Sequence, residues 1–514
     1  MAKPAVKVYL DLTGTGAFAT EITSVVLSAE WSLGFGQPFD LIARDNMASI
    51  VVNNANRNFT PEYASGAYYG SLVPGLAVKI TTTYATVTRT MWVGWASSFA
   101  PVPGTTGVRR CVIACDGWFD KAMRRESLVP LQLGKRVEQV VEVILDQSDI
   151  LPPSVTGRWI LGGDTLGVGT KLGAVADYFT ALDTGDTTFA YAGDWSSGTS
   201  VYGAVREMVE REGGRFWQRR DGMLILAPRL WFAVLTTTSA TFADGMLDMA
   251  YRYGADVSNV ITTNYEPRSV GTPASTVGVL GASAAIGLAG TLDVEFRFET
   301  QGSGGTIAAT ALVSLVATTD YTVNSASDGS GTNLTGNVTA AFISTNATAV
   351  TVRFTNTGAA GFVQAGSKVR GTPLTRYNSL AYTATDSDSV LAYGRRGYTS
   401  PGVQDSLADA TTLGDYQLAL RKDPVGRADS VLWSVWDTAI TADVLAVTVG
   451  DRIALSEQQT QAAGYWFVMG EQHSTTEGFY NVTWVLEDAG TLIYWLLGVT
   501  TQSELGTTTF VGPL

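Results

Sequence analysis

The sequence predicts a mainly β protein of several domains, with a smaller α+β part set among the strands. Three observations lead there. Hydrophobic residues make up 45% of the chain and charged residues only 16%, with 55 glycines to supply turns. Alternating runs of strand length are common and long helical patterns are rare. The length, 514 residues, exceeds what one core supports, and composition changes abruptly near residues 271 and 375.

Residues 1–117 read as a small barrel or sandwich. VKVYL and EITSVVLSAEW alternate apolar and polar residues around the turn TGTG, and ASIVVNN, AVKITTTY, TRTMWVGWASSF and VRRCVIACDG follow. A loop rich in Gly, Pro and Tyr leads into AVKITTTY. From 118 the period changes. KRVEQVVEVILDQSD (135–149) sets Val137, Val140, Val141, Val143 and Ile144 along one helical side, and KLGAVADYFTALD (171–183) suggests a shorter helix.

The clearest local plan lies at 199–229. Val201, Ala204, Val205, Met208 and Val209 recur at helical spacing, Ser200 can cap the start, and Gly213-Gly214 can end the helix. RFWQR and MLILA then read as a hairpin across Arg220-Asp221-Gly222. Residues 118–240 are therefore expected to be an α+β bracing domain.

Residues 271–375 are dominated by Gly, Ala, Ser, Thr and Val, hold no tryptophan, and repeat strands at sandwich spacing. They suggest an inserted immunoglobulin-like β-sandwich. Strand patterns on either side, 241–270 plus 376–500, read as a second, discontinuous barrel, including the helix candidate DATTLGDYQLALRKD. Residues 501–514 remain as a C-terminal tail.

Net charge −13 and a pI near 4.7 argue against a static nucleic-acid clamp, which needs a basic face. Cys111 and Cys115 would share one strand face about 13 Å apart, too far for a disulfide, so they read as buried free thiols from a reducing cytoplasm. MAKPAVKVYLDL lacks the apolar core of a signal peptide, and TLIYWLLGV is only strand length, so stable membrane insertion is not expected.

No residue pattern marks a catalytic, cofactor-binding or metal site. His473 is the only histidine, no G-x-S-x-G elbow surrounds a serine, and EQHSTTEGF reads as a solvated turn. Two cysteines and one distant histidine do not close a zinc shell. In GGDTLGVGTKLG (162–173) Thr170 separates Gly169 from Lys171, which breaks a phosphate loop. NSASDGSGTNLTG (324–336) and TATDSDSVL (383–391) lack the ordered carboxylates of a calcium loop and read as hairpin turns. No Asp or Glu sits in an apolar run that would mark a raised pKa. Tyr63, Tyr68 and Tyr69 cluster in one loop. Trp92 and Trp95 alternate to opposite faces, one for the core and one for an interface.

The order of several phrases resembles the tail hub or minor tail proteins of long-tailed, siphovirus-like bacteriophages. They are NRNFTPEYASGAYYGSLVPGLAVKI (56–80), WVGWASSF (92–99), VRRCVIACDGWFDKAMR (108–124), LDTGDTTFAYAGDW (182–195), AVREMVEREGGRFWQRRDGMLIL, SNVITTNYE (258–266), AYGRRGY (392–398) and AVTVGDRIAL (446–455). The insertion, with TDYTVNSASDGSGTNLT, is also similar to one in relatives. The resemblance implies two tail-tube-like β-barrels and a homotrimer whose six barrels continue a six-fold tube. It implies a non-enzymatic virion protein at the tail tip or baseplate, made in the host cytoplasm. Its expected partners are the distal tail or tail-tube protein, the tape measure protein and tip or receptor-binding fibre proteins. Phage DNA would pass its channel at genome ejection without specific binding. No cofactor is implied. Alternative readings are a tail-associated cell-wall hydrolase, or a host-surface or carbohydrate-binding adhesin acting through 271–375.

Overall fold

The computed structural model describes residues 3–103, 109–127, 129–148, 150, 180–195, 198–235, 237–298, 306–345, 348–436, 439–489, 493–494 and 509–510. Strands take about 47% of the chain and helices 16%, which makes it mainly β. Its largest element is a 13-stranded sheet. The path runs from Asp248–Tyr253 through Gly426–Ser434, Phe479–Asp488 and Ala463–Thr476 to Val26–Gly34. It continues through Ala48–Asn53, Arg110–Asp116, Val87–Pro101, Ala77–Tyr84 and Ala5–Asp11 to Thr20–Glu21.

This sheet corrects the expectation of two closed barrels. Among the described residues no sheet closes, and strands from both ends of the chain share one open sheet. The physical reason lies in the long strand Ala463–Thr476. One of its edges pairs with Phe479–Asp488. The other is divided, with residues 463–467 taking Arg452–Ser456 and 470–476 taking Val26–Gly34. A strand so long offers more edge than one neighbour can satisfy, and its unpaired backbone groups recruit a strand from the other half.

Two glycines make that crossing feasible. Gly34 sits opposite Gly470 and has φ +82, and a Cβ there would come 2.4 Å from the Met469 carbonyl oxygen. A Cβ on Gly470 would lie 2.2 Å from the Phe35 carbonyl oxygen. The Phe35 N–H donates to the Met469 carbonyl at 2.8 Å, so the backbones themselves are bonded where they cross.

The bracing segment follows local sequence rules. The helix Val201–Glu212 starts at Ser200, whose Oγ accepts from the Gly203 N–H at 3.1 Å, and ends at Gly213 with φ 72. Its stripe of Val201, Ala204, Val205, Met208 and Val209 is buried. The strands Arg215–Gln218 and Leu224–Ala227 pair antiparallel, and Gly222 takes φ 92 in the turn between them. Val137–Ser148 forms a helix that packs on this one. The helix expected over 171–183 falls mostly outside the described residues. Its end is a strand, Thr180–Leu182, which pairs parallel to Leu224–Leu226 and covers the hairpin's open edge.

One apolar cluster runs through both ends of the chain and the brace. Trp31, Trp92, Trp118, Phe216, Trp433 and Trp484 all belong to it. The segment after residue 271 has a separate core around Phe296, Val323, Val352, Phe354 and Val369. Among the described residues its strands hydrogen-bond into three small sheets rather than the two of an immunoglobulin-like sandwich.

A further correction concerns the second barrel. Val260–Tyr265 lies between Leu380–Thr385 and Gly397–Gln404 in a three-stranded sheet of its own. The helix Leu407–Arg421 packs on that sheet, with Gly414 set close to Thr263 and Tyr382. The stretch 383–391 is no hairpin turn either. Asp386 accepts from the Ser389 N–H at 2.9 Å and caps a short helix, Ser387–Tyr393.

Candidate functional site

The hairpin turn of the brace reaches the place where the two halves of the large sheet join. Arg220 projects from that turn and is buried. Its Nε lies 2.9 Å from both carboxylate oxygens of Glu471, and Nη2 also donates to Glu471. Nη1 donates to the Leu445 carbonyl at 2.8 Å and Nη2 to the Val447 carbonyl at 2.7 Å. The guanidinium fork thus joins the brace, the long strand and the C-terminal end of the helix Thr441–Ala446 in one set of charge-assisted bonds.

His473 completes the cluster. The expectation of a solvated loop histidine is wrong: the ring is fully buried within the strand Ala463–Thr476. Nε2 lies 2.9 Å from Glu471 and Nδ1 lies 3.1 Å from the Tyr480 hydroxyl. Trp31 stacks on the imidazole with centroids 4.9 Å apart and planes 9° apart. Burial lowers the His473 pKa, although Glu471 opposes it, so the ring is neutral. Glu471 accepts the Nε2 proton, and Nδ1 accepts from Tyr480. Burial alone would raise the Glu471 pKa. The Arg220 charge and the His473 hydrogen bond outweigh it and hold the carboxyl at about 2.

Chemically this cluster is a fastener. Arg220 and Glu471 cancel in charge, Thr448 donates to Glu471 at 3.2 Å, and the Tyr480 hydroxyl lies 3.5 Å from Thr82. His473 and Glu471 have no exposed surface through which a substrate could be reached.

A second network holds the root of the inserted segment. Arg268–Val270 and Lys368–Arg376 frame that segment, with Arg268 opposite Arg376. Asp194 pairs with Arg268 at 2.9 Å and with Arg376 at 3.3 Å. Asp405 is bonded to Arg211 of the brace helix and lies 3.5 Å from Arg268. The brace helix, the strand ending at Gln404 and the two framing strands therefore share one charged knot.

The remaining sequence candidates are scattered. Cys111 and Cys115 are buried free thiols on one strand face, and burial pushes the Cys111 thiol up to about 11. Both Trp92 and Trp95 are buried, so neither is left for an interface through alternation alone. The Lys121 ammonium lies over one face of the Trp95 ring at 3.4 Å. Tyr68 packs on Phe59 at 5.2 Å, Arg57 lies over Tyr63, and Tyr69 is 55% exposed. In 324–336 the Asn324 amide donates to the Gly329 and Gly331 carbonyls at 3.0 Å each, which closes a turn. The Gly-rich stretch 162–173, with Gly169, Thr170 and Lys171, lies outside the described residues. No group of three or more metal-ligating side chains occurs among the described residues, and no described helix is long and apolar enough to cross a membrane.

Several carboxyls are raised, Glu212 and Asp45 among them. Burial, with Asp186 nearby, raises Glu212 to about 7, and it accepts from the Asp186 and Thr187 N–H groups at 2.9 and 3.0 Å. Burial likewise raises Asp45 to about 6. Neither stands in an apolar run. Their burial comes from distant segments, which leave no local signal.

No family model matches the chain, and no curated protein does. Solved structures to which it is similar include the tail protein from Neisseria meningitidis MC58, at 10% identity over 95% of this chain and 97% of that one, with TM-score 0.47. The 43 kDa tail protein of prophage MuSo2 from Shewanella oneidensis aligns at 8% identity over 94% and 98%, with TM-score 0.47. The prophage tail protein gp18 from Listeria monocytogenes EGD-e aligns at 7% identity over 93% and 94%, with TM-score 0.39.

Proposed function

We propose that this chain is a structural protein of a bacteriophage tail, assembling as the trimeric hub of the tail tip or baseplate. In this reading it joins the six-fold tube to tip and host-recognition proteins and lines part of the channel for genome ejection. One observation carries it. Two of the ordered phrases that resemble tail hub proteins supply parts of the junction. AVREMVEREGGRFWQRRDGMLIL supplies the brace helix and Arg220, and AVTVGDRIAL supplies the Val447 carbonyl that Arg220 holds. A sheet spanning both ends of the chain and locked by a buried ion pair suits a part that bears axial force. Three copies would each present two sheet halves, which reconciles three-fold with six-fold symmetry. The distal tail or tube protein, the tape measure protein and fibre proteins are the neighbours this role implies.

Negative-stain imaging of the purified protein tests the proposal directly. A three-fold ring, with the chain found in virions by mass spectrometry, is the expected outcome. A monomer at high concentration together with absence from virions would sink it. A second reading rests on the separate core of the inserted segment, which suits a decoration or adhesion module for the host surface. Loss of cell binding on deleting 271–375, with assembly intact, would support it.

A further inference from the structure

Away from the buried junction, a cleft of about 330 Å³ opens where the strand Val87–Pro101 meets the short helix Trp118–Arg124. Trp95, Pro74 and Ile150 give it apolar walls, while Lys121, Arg125 and Asp116 bring charge to it. Asp120 and Arg124 also line it but are already paired with each other at 2.7 Å.

The unusual member is Lys121. Its ammonium lies 3.4 Å from the centre of the Trp95 ring and is only partly exposed. No carboxylate or carbonyl among the described residues accepts a hydrogen bond from it, and the exposed Arg125 side chain is likewise without an ion pair. A half-desolvated ammonium with its donors unused is costly, and a ligand carboxylate would supply what water can no longer fully give. Burial is the main cause that lowers the Lys121 pKa to about 8. The group therefore keeps its charge at neutral pH with little to spare.

We propose that this cleft binds a monocarboxylate with a compact apolar body. The carboxylate is held by Lys121 and Arg125, and the body lies against Trp95, Pro74 and Ile150. Three cationic side chains against two acidic ones line the cleft, so one negative charge is welcome. Asp116 disfavours a second. The volume is at the lower end of small-ligand sites, which admits a group about the size of one amino-acid residue. A free organic acid and the C-terminal residue of a peptide present the same chemistry.

The test uses the full chain with four probes: N-acetyl-leucine, N-acetyl-leucinamide, a pentapeptide ending in a free leucine carboxylate, and its C-terminal amide. Binding is read by saturation-transfer NMR, and protection of Lys121 from acetic anhydride is read by mass spectrometry. Both acids should protect Lys121 and both amides should not. Lys121→Gln should weaken acid binding about tenfold or more, and Lys121→Arg should retain it. Tighter binding of the peptide acid assigns the site to a chain terminus, equal binding assigns it to a free acid, and either upholds the carboxylate. Equal protection by acids and amides, no protection by any probe, or undiminished binding to Lys121→Gln overturns the proposal. Should Lys121→Gln lose its circular dichroism, the exposed Arg125→Gln carries the same comparison.

Discussion

Replacing Arg220 by Met keeps much of the side-chain length and removes the charge that Glu471 depends on. The Glu471 side chain has no exposed surface and that of Arg220 is 8% exposed. Breaking such a pair from one side strands a buried charge and costs roughly 3–5 kcal/mol. The Leu445 and Val447 carbonyls lose their donors as well, at about 1–3 kcal/mol for a buried group left unmade. These terms overlap, so a total of about 4 kcal/mol is expected.

The pH dependence gives the sign of the effect. In the native chain Glu471 sits at about 2, below an unfolded value near 4.3. Its contribution is present above the unfolded value and is lost as pH falls towards 2. Without Arg220, burial pushes the carboxyl up with only the His473 and Thr448 hydrogen bonds to oppose it. The variant's deficit should therefore shrink between pH 7.5 and pH 5, as Glu471 takes up a proton. Urea unfolding followed by tryptophan fluorescence and circular dichroism measures this, with midpoint and slope reported separately. Adding Glu471→Leu should recover about half the loss, because the stranded charge is gone while the two carbonyls and the His473 Nε2–H stay unpaired. A single-variant deficit below about 1 kcal/mol, or a double variant no better than the single, would refute the reasoning.

Other expected outcomes bear on the frame around this cluster. Gly470→Ala should sharply lower the melting temperature, because its Cβ would meet the Phe35 carbonyl oxygen at 2.2 Å where backbone does not yield; an unchanged melting curve would mean that the strands do not cross there. Met208→Asp places a charge on a fully buried position and should abolish soluble expression; normal yield and assembly would show that the stripe faces no core. Glu212 has a folded pKa of about 7, above its unfolded value near 4.3, so its contribution is full at low pH and is lost as pH rises through about 7. Stability measured between pH 5 and 7.5 should fall in the parent and fall less in Glu212→Gln; parallel curves would remove Glu212 as the cause.

Much of the brace was legible in the sequence. The helix, its Ser200 cap, its Gly213 stop and the Asp221-Gly222 turn depend on neighbours within a few residues, and each formed as its pattern implied. The strand alternation of Arg110–Asp116 was equally local, and it buried Cys111, Ile113 and Cys115 on one face. His473 was read wrongly for the same reason. Its immediate neighbours Gln472 and Ser474 look like a surface turn, whereas Trp31 and Tyr480 decide its environment.

By itself, then, the sequence determined the brace helix, its hairpin and strands such as Arg110–Asp116, because those follow side-chain period, caps and turn residues close along the chain. Tertiary structure alone decided that two apparent barrels share one open sheet. Strand partners are chosen by backbone edges, and every backbone edge carries the same N–H and C=O groups whatever its sequence. Tertiary structure also decided which charges go inside. Arg220 and Glu471 lie 251 positions apart, and each is tolerable in the core only because folding brings it the other.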